Sequence, residues 1–343
     1  MDVGVVGMGK MGVLHTGILN CIDGVNITSV TEREGLIKKN LNMMLPNANI
    51  YDDYEKMISN EKLDLVYITT PARFHVPIAS SCINKNINFF IEKPLSANIE
   101  ECRELCNRLK GKTLVHGVGY SKRFWDTFAK GKEIICSKIL GDLIYVKSSM
   151  YISQLFRKGM GWRFDKKESG GGVLLDSGAH LIDLLIWYFG PMRSVTGMVK
   201  KYYSAEVEDF AHANFEFNDG VKGFTDTSCS VRGYRVPEIS IEVHGSNGMM
   251  IVNDDSVKFR LDSPKGSYPD GSTVIYKQEL FKGSVIDIGG QDFTKEDIHM
   301  VNCTKQNKQT VFNVFEASKT QSAIDAIYKS SIENKTKEVI YVV

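Results

Sequence analysis

From residue 1 to residue 120, short β-branched apolar runs alternate with stretches of helical periodicity. The runs at 3–6, 25–30, 63–69, 88–91 and 113–118 predict strands. The stretches at 11–20, 53–60, 76–84 and 99–110 predict helices. Ser96 and Asn98 are ready N-caps for the last of these, and Gly111 stands where it should stop. Strands spaced by helices build βαβ units and a parallel sheet covered on both faces. After Tyr120 the texture changes. A helix is expected over 126–137, then a long alternating strand over 142–152. Gly170-Gly171-Gly172 precedes an apolar helix at 177–189. Strands follow at 195–203, 210–217, 221–230 and 238–244, with Asn218-Asp219-Gly220 as a hairpin turn between two of them. A helix is expected over 314–330, while 253–310 shows no readable period. The fold class is therefore α/β. Residues 1–121 form a Rossmann-type parallel domain, and 122–343 an α+β domain with a large, mostly antiparallel, open-faced sheet.

Composition narrows the possibilities. A chain of 343 residues suits two domains, and 43% hydrophobic with 24% charged residues is an ordinary globular balance. A formal net charge of +1 lacks the basic surplus of a nucleic-acid binder. No apolar run reaches the roughly 18 residues of a membrane span; the best, at 181–189, is short and carries Asp183. Val3, Val5 and Val6 already read as a strand, leaving no room for a leader peptide. The seven cysteines are odd in number and scattered. Cys102 and Cys106 lie one helical turn apart with no second pair, and no metal-ligand spacing is seen. The expectation is a cytoplasmic protein with reduced thiols and no metal.

The first strand runs directly into Gly7-Met8-Gly9-Lys10-Met11-Gly12, which opens the first helix. This is the dinucleotide fingerprint in its required context. The first glycine permits the tight turn, the second lets backbone approach a pyrophosphate, and the third allows close helix–strand packing. The amides and helix dipole then face the phosphates. Glu32, at the end of the second strand, is placed to bind ribose hydroxyls and favours NAD. Arg33 beside it could pair with the extra phosphate of NADP, which leaves NADP possible.

Further on, the chain reads Thr69-Thr70-Pro71-Ala72-Arg73-Phe74-His75 and Phe90-Ile91-Glu92-Lys93-Pro94. It then reads Trp162-Arg163-Phe164 and Gly170-Gly171-Gly172-Val173-Leu174-Leu175-Asp176-Ser177-Gly178-Ala179-His180-Leu181-Ile182-Asp183. These segments, in this order, resemble the Gfo/Idh/MocA oxidoreductases, which include glucose–fructose oxidoreductase, inositol dehydrogenases and nucleotide-sugar dehydrogenases. The resemblance implies that Lys93 faces the substrate near the nicotinamide, and that Asp176 and His180 complete the site with His180 as proton acceptor. It places Thr70, Pro71, His75 and Glu92 near the cofactor. It also implies that the uncovered sheet face packs on a second subunit, in a homodimer or homotetramer.

The residues themselves allow these roles. Lys93 lies at the C-terminal end of a parallel strand, where open α/β sheets bind ligands. Its ammonium can steady a developing alkoxide. Asp176 and His180 are four apart, on one helix face shared with Asp183. A carboxylate beside an imidazole orients it as a base, although Asp176 also suits a helix N-cap. Arg123, Trp162 and Arg163 could wall a sugar or phosphate site. His15 reads as packing near the pyrophosphate, and His116, His212, His244 and His299 sit in no motif. The function expected is hydride transfer between nicotinamide and a secondary alcohol carbon of a sugar, cyclitol or nucleotide sugar. The rivals are an imine or lactone reductase on the same cofactor domain, and a non-catalytic NAD(P)-binding sensor. Loops at 153–164 and within 253–310 should choose the substrate.

Overall fold

A computed structural model describes residues 1–33, 35–157, 159 and 161–342. Residues 158 and 160 of the loop expected to choose the substrate lie outside the described residues. The chain divides into two compact units. The first comprises 1–121, 284–318 and 342; the second comprises 122–283 and 319–341.

The first unit is built on six parallel strands: β1 (Asp2–Val6), β2 (Asn26–Thr31), β3 (Asn49–Tyr51), β4 (Leu65–Ile68), β5 (Asn88–Ile91) and β6 (His116–Val118). Their order is β3-β2-β1-β4-β5-β6. All four residues of β4 are buried, as are Phe89, Phe90 and Ile91 of β5. Burial on both faces is why these strands read as unbroken apolar runs. The order reverses between β1 and β4, the switch point where the loops after neighbouring strands part and leave a crevice. The helix Lys10–Leu19 follows β1, and the helix Ile99–Leu109 is capped by Asn98, whose side chain accepts from the Glu101 amide at 2.9 Å.

Residues 284–318 return to this unit. The helix Gln291–Gln306 packs against Lys10–Leu19. The following segment runs along β6: the Val118 amide donates to the Phe312 carbonyl at 2.9 Å and Thr310 Oγ1 to the His116 carbonyl at 2.8 Å. Gly117 makes room for it, since a Cβ there would lie 2.4 Å from the Phe312 ring.

The second unit carries a nine-stranded sheet. Its strands are β7 (Leu143–Tyr151), β8 (Met192–Lys200), β9 (Phe210–Phe217), β10 (Lys222–Ser228), β11 (Glu238–Gly245), β12 (Gly248–Asn253), β13 (Ser256–Leu261), β14 (Gly271–Tyr276) and β15 (Lys337–Glu338). They lie in the order β14-β13-β12-β11-β7-β10-β9-β8-β15, with only the β7–β10 pair parallel. Gly220, at φ 89°, closes the β9–β10 hairpin that Asn218-Asp219-Gly220 predicts. One face, with Val146, Met150, Ala213, Phe215, Ile241 and Val243, is buried. Against it lie the helices Asp126–Cys136 and Gly178–Phe189. Ile327 covers Gly197, where a Cβ would come within 2.7 Å. The opposite face shows Tyr145, Lys147, Tyr151, His212, Phe224 and Asp226, all at least partly open. No helix among the described residues is long and apolar enough to cross a membrane.

Candidate active-site residues

In the first unit the glycine turn has the shape its sequence demands. Gly7 takes φ 92°, a left-handed conformation that glycine alone adopts without cost. A Cβ on Gly12 would lie 2.0 Å from the Gly7 carbonyl oxygen, so the helix can start this close to the strand only with glycine there. At Gly9 a Cβ would meet nothing within 4 Å. The helix Lys10–Leu19 begins at Gly9 without a side-chain cap. No side chain caps its first amides, as a phosphate-binding helix end requires. Met8 is buried, Lys10 is exposed and Met11 is half-buried. Glu32 ties the turn to the end of β2, accepting from the Met8 amide at 2.8 Å and from the Arg33 amide at 2.7 Å. These two bonds fix the carboxylate at the end of β2, the place where a ribose-binding acid stands in this kind of fold. Arg33 is exposed, with Nε 3.4 Å from the Asp52 carbonyl. An uncapped helix start, an open Gly9 and an anchored Glu32 fit a nicotinamide dinucleotide.

The ends of β4 and β5 lie beside the switch point. Thr69 Oγ1 donates to the Gly7 carbonyl at 2.6 Å, and Thr70 packs where a Cβ on Gly7 would project. Pro71 starts the short turn Ala72–Phe74. His75 is buried, with Nδ1 2.8 Å from the Pro94 carbonyl and Nε2 2.8 Å from that of Thr70. It thus joins the two strand ends. Burial holds its pKa below the ordinary histidine value, so at neutral pH it donates to one carbonyl only. Glu92 is buried too; its Oε2 accepts from the Lys93 amide at 3.0 Å. The Lys93–Pro94 peptide is cis. From Phe89 to Ser96, Lys93 is the one residue that is not buried.

His15 is not simple packing. It is fully buried, with Nε2 2.9 Å from Glu92 Oε1 and Nδ1 2.9 Å from both oxygens of Asp297. Nothing near His15 in sequence announces this, because Asp297 lies 282 residues away.

In the second unit the triple glycine is held by Glu208, which sequence reasoning missed. Its carboxylate accepts from the Gly172 and Leu174 amides, each at 3.0 Å, and from the Tyr328 hydroxyl at 2.7 Å. Burial raises its pKa, and these donors pull it back. A Cβ on Gly172 would lie 1.9 Å from the Glu208 carbonyl oxygen, so the close approach needs glycine. The turn delivers Asp176, whose amide donates to the Gly172 carbonyl at 2.9 Å. The helix Gly178–Phe189 takes Ser177, not Asp176, as its N-cap. Asp176 instead stands 3.6 Å from Arg163 Nε, with side chains 37% and 54% exposed. Arg163 also lies over the Trp162 ring at 4.9 Å. His180 is half-buried in the first turn of the helix.

Arg123 and Asp183 separate from this group. The Arg123 guanidinium forks onto Asp183 at 2.7 and 2.6 Å, and both side chains are buried. Arg123 therefore braces the helix from below instead of standing open to a ligand. Asp183 shares the helix face of Asp176 by spacing, but it is spent on this bidentate pair.

Comparison with known proteins assigns the class. The NAD-binding Rossmann domain of an oxidoreductase family matches residues 1–120, and the GFO/IDH/MocA C-terminal domain matches 128–251. The chain belongs to the Gfo/Idh/MocA oxidoreductases, and its first unit is an NAD-binding Rossmann domain. An uncharacterized oxidoreductase of Schizosaccharomyces pombe is 32% identical over 48% of this chain and 45% of its own length. The scyllo-inositol 2-dehydrogenase (NADP(+)) IolW of Bacillus subtilis is 27% identical over 88% of this chain and 82% of its own. The chain thus spans less than half of the first relative and most of the second. A levoglucosan dehydrogenase solved with NADH and L-sorbose shares the fold, with a TM-score of 0.89 at 19% identity over 100% of this chain and 99% of that one.

Proposed function

We propose that the protein oxidises a secondary alcohol carbon of a sugar, cyclitol or nucleotide sugar, with NAD as the preferred acceptor. The observation that carries this reading is Lys93: from Phe89 to Ser96, at the end of a buried parallel strand, it is the one residue that is not fully buried. When bound, the nicotinamide supplies the hydride acceptor. Gly7, Gly9 and Gly12 with Glu32 would hold the dinucleotide. In this reading the Lys93 ammonium hydrogen-bonds the substrate hydroxyl and stabilises negative charge as it develops on that oxygen. His180 takes the hydroxyl proton, a role that contributes roughly 10²–10⁴-fold in rate. Asp176, reached by Arg163, orients the substrate and the base, and Trp162 offers an apolar wall for a ring.

The names of relatives support a polyhydroxylated ring as substrate, since one acts on scyllo-inositol and another on levoglucosan. Arg33, exposed beside Glu32, is the residue to change when NAD and NADP are compared. The open sheet face sets the aromatic rings of Tyr145, Tyr151 and Phe224 among Lys147, His212 and Asp226, a mixture that supports a second copy of this chain as its cover. The described cysteines are all unpaired, which supports a reducing, cytoplasmic setting.

The test is a panel of inositols, free sugars, anhydrosugars and sugar nucleotides, assayed for NAD and NADP reduction. Activity on at least one ring alcohol, lost in Lys93→Ala and in His180→Ala while NADH still binds, is expected. Wild-type turnover in either variant, or reduction of cyclic imines in preference to any alcohol oxidation, would sink the assignment.

A further inference from the structure

The buried ion cluster of the first unit has no part in the chemistry proposed above. His15 projects from the helix Lys10–Leu19 between two carboxylates, Glu92 at the end of β5 and Asp297 on the helix Gln291–Gln306. Its ring is enclosed by Tyr67, Phe90 and Phe293, with centroids 5.4, 5.1 and 6.1 Å away. Glu296 and Asp292 of the same returning helix are buried nearby. Each His15 nitrogen faces a carboxylate oxygen, which can only accept unless it carries a proton itself. The geometry is satisfied when the ring carries a hydrogen on both nitrogens. Burial alone would lower the pKa of His15, but Asp297 and Glu92 outweigh it and hold the ring protonated. Burial pushes Glu296 far above the usual carboxylate range, and its oxygens have no hydrogen-bond partner among the described residues.

A buried charge array of this kind is costly unless fully paired, and stability alone rarely explains one. What distinguishes it here is where it leads. Glu92 Oε1 faces His15 while its Oε2 receives the amide of Lys93. The imidazolium thus grips one oxygen of the carboxylate whose other oxygen holds the peptide bearing Lys93. We propose that His15, anchored by Asp297, is a positioning residue that fixes the Lys93 peptide through Glu92. The returning segment 284–318 would then be part of the site's frame, since it brings the anchor. The consequence for catalysis rests on the role proposed for Lys93; the positioning itself does not.

The test is amide hydrogen exchange at Lys93 in the ligand-free protein, read by NMR, for His15→Gln, Glu92→Gln and the double variant. Glutamine fills the space of histidine without its charge. Faster Lys93 exchange in His15→Gln, by about tenfold, is expected, with amides of β1 changed much less. The effect should not grow further in the double variant, because His15 acts through Glu92. ¹⁵N spectra of the wild-type histidines should show both His15 nitrogens protonated at neutral pH. An unchanged Lys93 amide, a loosening shared equally by β1, or full additivity of the two substitutions would overturn the proposal. Should His15→Gln fail to fold, Asp297→Asn tests the same chain from its other end. Loss of activity plays no part in this readout, so a catalytically silent Lys93→Ala would refute only the role of Lys93.

Discussion

The strand end of the first unit and the glycine turn of the second are framed in opposite ways. Around Lys93 the polar groups are buried and locked to one another: His15 to Glu92, Glu92 to the Lys93 amide, His75 to the Pro94 carbonyl. Around Asp176 the backbone is locked by Glu208, but the Asp176 and Arg163 side chains are partly in solvent. Asp176 and Arg163 sit 3.6 Å apart and substantially in solvent, where an ion pair is worth roughly 0–1 kcal/mol. In the proposed reading the locked frame meets the nicotinamide, which is the same for every substrate. A loose pair suits a partner that differs between relatives. The difference teaches where, on that reading, a substitution can alter substrate choice at little cost to the fold: at Asp176 and Arg163 and not around Lys93.

The substitution that should break this contrast hardest is Lys93→Ala. Turnover should fall about 10²–10³-fold, the usual consequence of removing a group that stabilises a developing oxyanion. NADH affinity, followed by fluorescence, should stay within a few-fold. Next come the residues that lock the glycine turn. Gly172→Ala forces a Cβ against the Glu208 backbone and should cost about 1–3 kcal/mol. Glu208→Gln removes an acceptor from a buried amide and should cost a similar amount. Both are read as lowered melting temperatures, and a neutral result for both would mean that the turn is not locked.

Acid should also reach the first unit. Burial pushes His116 down to about 4, where its Nδ1 accepts from the Val314 amide at 3.1 Å. The unfolded chain binds that proton near pH 6.5, so it takes up more protons than the folded one between these values. The stabilisation is complete above pH 6.5 and is lost as pH falls toward 4. Melting temperature should therefore drop across that window, and His116→Asn should flatten part of the drop. The smallest effect belongs to Arg163→Ala. Stability should move by no more than about 0.5 kcal/mol, as for exposed sites generally. The KM for the ring alcohol should rise while that for NAD does not.

What the chain made legible follows the same divide between local and distant causes. The parallel sheet could be read because strands buried on both faces, such as Leu65–Ile68, are continuously apolar. The helix Gly35–Met44 and the three-residue β3 were missed. That helix starts at a glycine and leaves Met43 and Met44 exposed, which blurs the short stripe of Ile37, Leu41 and Leu45. β12, β13 and β14 are short hairpin strands whose partners alone make their pattern meaningful. The return of 284–318 to the first unit rests on contacts such as His15–Asp297 that no window of sequence contains. The motifs that nominate the glycines, Lys93, Asp176 and His180 were legible because they are local. His15 and Glu208 were not, since each acts on residues far away in sequence. The pairing of Arg123 with Asp183 was illegible for the same reason, the two lying 60 positions apart.

The central claim is that this cofactor domain serves alcohol oxidation through Lys93. The most direct measurement is the formation of reduced nicotinamide from NAD by wild type and Lys93→Ala across inositols, free sugars, anhydrosugars and sugar nucleotides. The account predicts turnover of at least one ring alcohol by the wild type, and about 10²–10³-fold less by a variant that still binds NADH. Equal turnover by the two proteins, or NADH binding with no alcohol oxidised by either, would contradict it.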